Sequence, residues 1–201
     1  MKILAALLAA ATLAGCAMLT AETTLFTPAD QDGVFVLSQG LWAHREDDCK
    51  IDPATSAPER NDCIDWVRVT READGAWRIV FIGEDDPPMR FVAVPAAKGD
   101  GEALAPLYVA EVTSPKEEGP AYAALAPRGA LRTPVTRVAM TVISCGPILR
   151  DGAMADITVQ RDGDRIVGCT ALTKDAVREA ARRAVIADLA RFGESELVWV
   201  R

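Results

Sequence analysis

Ile64-Asp65-Trp66-Val67-Arg68-Val69-Thr70-Arg71, then the turn Ala73-Asp74-Gly75, then Trp77-Arg78-Ile79-Val80-Phe81-Ile82, decides the fold class of this chain. Ile64, Trp66, Arg68 and Thr70 alternate with Asp65, Val67, Val69 and Arg71. Beyond the turn, Trp77, Ile79 and Phe81 alternate with Arg78, Val80 and Ile82. A period of two, rich in aromatic and β-branched residues and broken by Asp-Gly, specifies an antiparallel hairpin.

The same period governs most of the chain on either side. Upstream, Val34-Phe35-Val36-Leu37 and Gly40-Leu41-Trp42-Ala43 are two short runs separated by Ser38 and Gln39. Downstream, Arg90 to Val94, Leu104 to Thr113 and Ala121 to Leu125 read as weaker strands. Segments rich in Gly, Pro and charge set them apart: Pro95 to Glu102, Ser114 to Pro120 and Pro127 to Pro134. Val135 to Cys145 carries the β-branched residues of a well-covered strand. Ile157-Thr158-Val159 and Arg165-Ile166-Val167 flank Asp162-Gly163-Asp164 as a second hairpin, and Glu196 to Val200 reads as a last strand.

One helix interrupts this pattern. Thr173 is its cap, Asp175 lies in the first turn, and the run continues to Arg191 with Gly193 just past it. Val177, Ala180, Ala181, Ala184, Val185 and Leu189 make an apolar face whose small residues allow close approach to a sheet. About eight to ten strands and one C-terminal amphipathic helix packed on them give an α+β, antiparallel-dominated, β-rich domain.

The N-terminus has a different character. Lys2 precedes an apolar run of 12 residues, Ile3 to Ala14, too short for a membrane span, which needs about 20. Leu13-Ala14-Gly15-Cys16 then resembles the lipobox of bacterial lipoprotein precursors, over the first 16 positions of the chain. The resemblance implies removal of a signal peptide at residues 1–15. It implies a diacylglycerol on the Cys16 sulfur, a further palmitate-type acyl chain on its amine, and attachment to the membrane through them. Because Ala17 rather than Asp follows Cys16, it also implies sorting to the outer membrane, facing the periplasm. Residues 16–30 are expected as a lipidated tether and 31–201 as a single globular domain.

Without the leader, 21 Lys and Arg stand against 29 Asp and Glu, a net charge of −8. That balance works against nucleic acid and against headgroup binding by a general field. Cys49, Cys63, Cys145 and Cys169 form an even set, which in an oxidising compartment reads as two disulfides. Of three possible pairings, Cys49–Cys63 and Cys145–Cys169 is preferred because each closes a modest loop. The spacing fits no common zinc site, and neither a metal nor a cofactor is expected.

His44, the one histidine, precedes Glu46, Asp47 and Asp48. It reads either as a surface residue entering an acidic loop or as a general base oriented by a carboxylate. The acids at Asp47, Asp48, Asp52, Asp62 and Asp65, and at Glu84, Asp85 and Asp86, read as solvated loops. Trp42, Trp66 and Trp77 lie on strands that share a face if their registers agree, where they would serve as core or, with His44, as a ligand-binding surface. No catalytic motif accompanies them. The expectation is therefore a non-catalytic binding or interaction module for an envelope protein, a glycan or a small apolar ligand. The alternative is a periplasm-facing hydrolase using His44 with nearby carboxylates.

Overall fold

In a computed structural model, which describes residues 17–45, 64–96, 106–128, 134–150, 152–187 and 196–201, the central hairpin forms as its alternation requires. Strand β3 (Ile64–Arg71) pairs antiparallel with β4 (Trp77–Phe81), Val67 opposite Phe81 and Val69 opposite Ile79. At the turn Gly75 has φ +94°, a conformation glycine adopts without strain. The hairpin is one corner of a closed barrel. From β2 (Gly40–Arg45) the chain meanders through β3 and β4 to β5 (Met89–Pro95), β6 (Tyr108–Thr113), β7 (Ala121–Pro127) and β8 (Arg137–Val142). The last strand, β11 (Glu196–Trp199), lies between β8 and β2 and is antiparallel to both. With β6 paired to β7, the ring of eight has no free edge.

At the closing seam the start of β2 comes very close to the residues that follow β11. Leu41 N donates to the carbonyl of the C-terminal Arg201 at 2.7 Å. Gly40 sits there at φ +126°, and a β-carbon at this position would collide with the same carbonyl oxygen.

Between β8 and β11 the chain leaves the barrel and clothes one wall of it. The excursion contains a one-turn helix α1 (Cys145–Ile148), the hairpin β9 (Ile157–Asp162) and β10 (Arg165–Ala171), and helix α2 (Lys174–Ala187). Thr173 caps α2 as expected, its Oγ1 accepting from Ala176 N at 3.2 Å. Ala176, Val177, Ala180, Ala181, Ala184 and Val185 are buried against outward-facing residues such as Val92, Val94, Val109, Ala124 and Ala126. Cys145 and Cys169 are joined by a disulfide across this outer layer, with Cα atoms 5.8 Å apart. Cys49, Cys63 and Cys16 lie outside the described residues, as do residues 1–15 and 188–195.

Three features differ from the sequence expectation. The strands close into a ring, which period-two alternation does not distinguish from an open sheet. The described residues contain eleven strands in all. The third concerns the segment expected as a tether, which is part of the folded body. A short strand β1 (Leu19–Thr20) pairs in parallel with β10 and antiparallel with β7, and Leu19, Ala21 and Phe26 are buried. Scattered hydrophobics among polar residues looked like a linker, but Leu19, Ala21 and Phe26 each have a site in the outer core, with Leu25 packed against it. Glu111, 3% exposed on the outer face of β6, fastens this segment. Its Oε2 accepts from Leu25 N at 2.7 Å, Phe26 N at 3.1 Å and the Tyr122 hydroxyl at 3.1 Å.

Candidate functional site: an apolar cavity inside the barrel

Alternation along each strand divides the side chains between two cores. Residues facing out belong to the layer under α2 or to a small cluster of Leu41, Ala43, Ile64 and Trp66. Residues facing in belong to the barrel interior, and there they do not fill the space. A cavity of about 140 Å³ remains. Its cause is legible on β6 and β7, where Ala110 stands opposite Ala123 and Ala121 follows on the same face. An eight-stranded barrel is just wide enough for ordinary side chains to fill. Alanines on two adjacent strands leave the middle empty.

The wall is almost wholly apolar: Val67, Val69, Ile79, Phe81, Phe91, Val112, Leu125, Val138 and Leu197 line it. One end is sealed. Residues 33–38 cross it, with Ser38 N donating to Val135 O at 2.9 Å and Val135 N to Val36 O at 2.6 Å. Phe35 packs on Tyr108 with ring centroids 4.5 Å apart, and Trp77 stacks on Phe91 at 6.3 Å. The Tyr108 hydroxyl donates to Asp32 at 3.3 Å, and burial, reinforced by that carboxylate, pushes the phenol up to about 12.

The polar lining residues, His44, Asp65, Ser114 and Glu117, gather at the opposite end. His44 and Asp65 are cross-strand partners on β2 and β3, with Nδ1 3.7 Å from Oδ2. Phe81, Val112, Met140 and Val142 point inward there yet are only partly buried, as expected of residues beside an opening. Met18, Met89 and Met140 also line the cavity. Unbranched thioether side chains adapt to guests of different shape. The site is a dead-ended apolar pit with a polar mouth.

The residues singled out from sequence fall at different places. His44 is 6% exposed, so it is not a surface residue on an acidic loop: it is the inward-facing side chain one position before the strand ends. Asp65 is not a solvated loop acid but its partner in the mouth. Trp42 lines the cavity, with Nε1 donating to Ser38 O at 2.9 Å. Trp77 faces the interior among the residues that close its sealed end. Trp66 points the other way, because it is paired with Ala43 rather than Trp42 and so belongs to the outer cluster. The three tryptophans do not share a face. Asp47, Asp48, Asp52 and Asp62 lie outside the described residues, and Asp86 is paired with Lys116. Among the described residues, no three His, Cys, Asp or Glu side chains converge as a metal site.

The interior alanines and methionines escaped sequence reading. The signal was present in the small residues at alternate positions of Ala121 to Leu125, but it acquires meaning only once that strand is known to face a closed interior. The barrel is also apolar inside, with charged Arg68 and Arg78 outside on β3 and β4, the reverse of a membrane-spanning barrel. No helix among the described residues is long and apolar enough to cross a membrane. No protein-family model, curated protein or solved structure matches this chain.

Proposed function

We propose that this chain is a lipid-anchored protein of the bacterial cell envelope whose barrel binds the apolar tail of a small, single-tailed amphiphile. The observation that carries the reading is the cavity: apolar walls, a sealed floor, and polar side chains at one end only. Such a space matches a ligand with one greasy and one polar end. For scale, an apolar cavity of about 150 Å³ admits benzene, so about six carbons of a tail fill this one. Two carboxylates, Asp65 and Glu117, stand at the mouth with one imidazole. They disfavour a second anion there, so the polar end is uncharged or cationic rather than a carboxylate. The address rests on Leu13-Ala14-Gly15-Cys16 and the leader before it, which support lipid on Cys16 and a periplasm-facing position at the outer membrane.

Binding of an uncharged naphthyl dye to the purified protein tests this. The dye's emission should rise saturably and fall when monoacylglycerol displaces it. Ala123→Phe, which fills the middle of the cavity, should weaken dye binding at least thirtyfold while circular dichroism is unchanged. Ala110→Phe provides the same test from the facing strand if that variant does not fold. Equal affinity in a folded cavity-filled variant would contradict the reading.

The His44–Asp65 pair favours a second reading, hydrolysis of an ester bound in the same pit, with Ser114 as the nucleophile. The Ser114 hydroxyl is already engaged within its own turn, Oγ accepting from Lys116 N at 3.3 Å. Binding without chemistry is therefore the primary proposal. Labelling of Ser114 by a fluorophosphonate, lost in His44→Ala, would reverse that order.

A further inference from the structure

The strand that starts the described body also forms part of the cavity mouth. Met18 lines the cavity, while Ala17 on one side and Leu19–Thr20 on the other are fixed in place. Ala17 O accepts from Cys145 N at 2.7 Å, and Leu19 N donates to Ile143 O at 2.8 Å. Leu19 and Thr20 are paired with Cys169 and Thr170, and Thr20 also with Ala121. Gly119, another residue of the mouth, approaches the Ala21 carbonyl so closely that no β-carbon fits between them. Cys16 is two peptide units from Met18, a span of at most about 7 Å. Lipid on Cys16 would thus be joined to the mouth itself, with no slack chain between.

We infer that the barrel takes its ligand directly from the bilayer, because the Cys16 lipids hold the rim of the cavity at the headgroup surface. The occupant is an uncharged single-tailed lipid with the chemistry of a monoacylglycerol. This inference rests on the cavity and lipid-anchor readings above. Its physical basis is the cost of exposing a tail to water, which grows with every methylene. A pit that opens at the membrane surface shortens that exposed passage, and one held away on a flexible tether does not. The acidic body has no general attraction for anionic headgroups, so the covalent lipid alone sets the distance.

The test compares the full-length, lipidated protein with a variant carrying 20 Gly/Ser residues between Cys16 and Ala17, a linker spanning about 25 Å. Both are reconstituted in vesicles of zwitterionic phospholipid containing a chain-brominated monoacylglycerol, after mass measurement of the lipid on Cys16. Tryptophan quenching reports uptake, and Trp42→Phe assigns the signal to the cavity. The insertion should slow uptake from vesicles at least tenfold, whereas a water-soluble short-chain brominated analogue should quench both proteins equally. Equal vesicle rates, with the soluble analogue still quenching both, would overturn the inference and leave the cavity reading standing. Failure of the soluble analogue to quench either protein would remove the cavity reading and this inference together. A mass without lipid on Cys16 would overturn the inference through its anchor.

Discussion

At the scale of single residues, the mouth is defined by the opposition of His44 and Asp65. Two adjacent strands place an imidazole and a carboxylate 3.7 Å apart in the rim of an apolar cavity, where neither would lie for packing alone. Asp65 is 31% exposed, so its field acts partly through solvent and its effect on a guest is modest. Asp65→Asn removes one of the two anions facing the guest. It should tighten binding of a fatty-acid carboxylate about three- to tenfold and leave monoacylglycerol affinity within twofold. Competition against the naphthyl dye measures both. An equal change for the two ligands would show that Asp65 does not read headgroup charge. These residues were visible in the sequence as chemistry-bearing types, but not as partners. Asp65 was one acid among many until the register of β2 against β3 set it beside His44.

At the scale of elements, alternation and capping were enough to find most strands and α2, because each signal is local. Thr173 caps the helix and the small residues of its inner face lie against the barrel wall, as the pattern requires. The tether was misread for the opposite reason. The buried Leu19, Ala21 and Phe26 are spaced two and then five apart and keep no single period, and the partners of this segment on β7, β10 and the face of β6 are 85 or more residues away. The Cys145–Cys169 disulfide ties the start of the excursion to β10 in this outer layer and closes a loop of 24 residues' separation. By loop-closure entropy it stabilises the fold by about 3–4 kcal/mol. Replacing both cysteines by alanine should lower the urea-derived stability by that amount. A stability equal to that of the wild type would contradict a closed loop that restrains the unfolded chain.

At the scale of the whole molecule, the distinction that matters is between two cores, and sequence does not draw it. Outward residues such as Val92 and Val109 look the same in a list as inward Phe91 and Val112. Only closure makes one set a helix platform and the other a cavity wall. The two tyrosines of the chain report on both cores at once. Tyr108 closes the interior and is pushed up to about 12 by burial and then by Asp32. Tyr122, in the outer layer, is raised by burial and then by Glu111. A free tyrosine titrates near 10, so the unfolded chain releases these protons first. Stability is therefore retained below pH 10 and falls as pH rises toward 12. Absorbance at 295 nm at pH 11 should show about a tenth of one phenolate in the folded protein and nearly two on unfolding in urea. One phenolate titrating near 10 in the folded state would mean that its core is open to water.

The most direct measurement of the central claim is native mass spectrometry of the protein, gently extracted and incubated with excess monoacylglycerol. A bound mass of one single-tailed lipid is expected on the wild type and absent from Ala123→Phe. A wild-type protein that retains no such mass, or a folded cavity-filled variant that retains it equally, would contradict an apolar binding site inside this barrel.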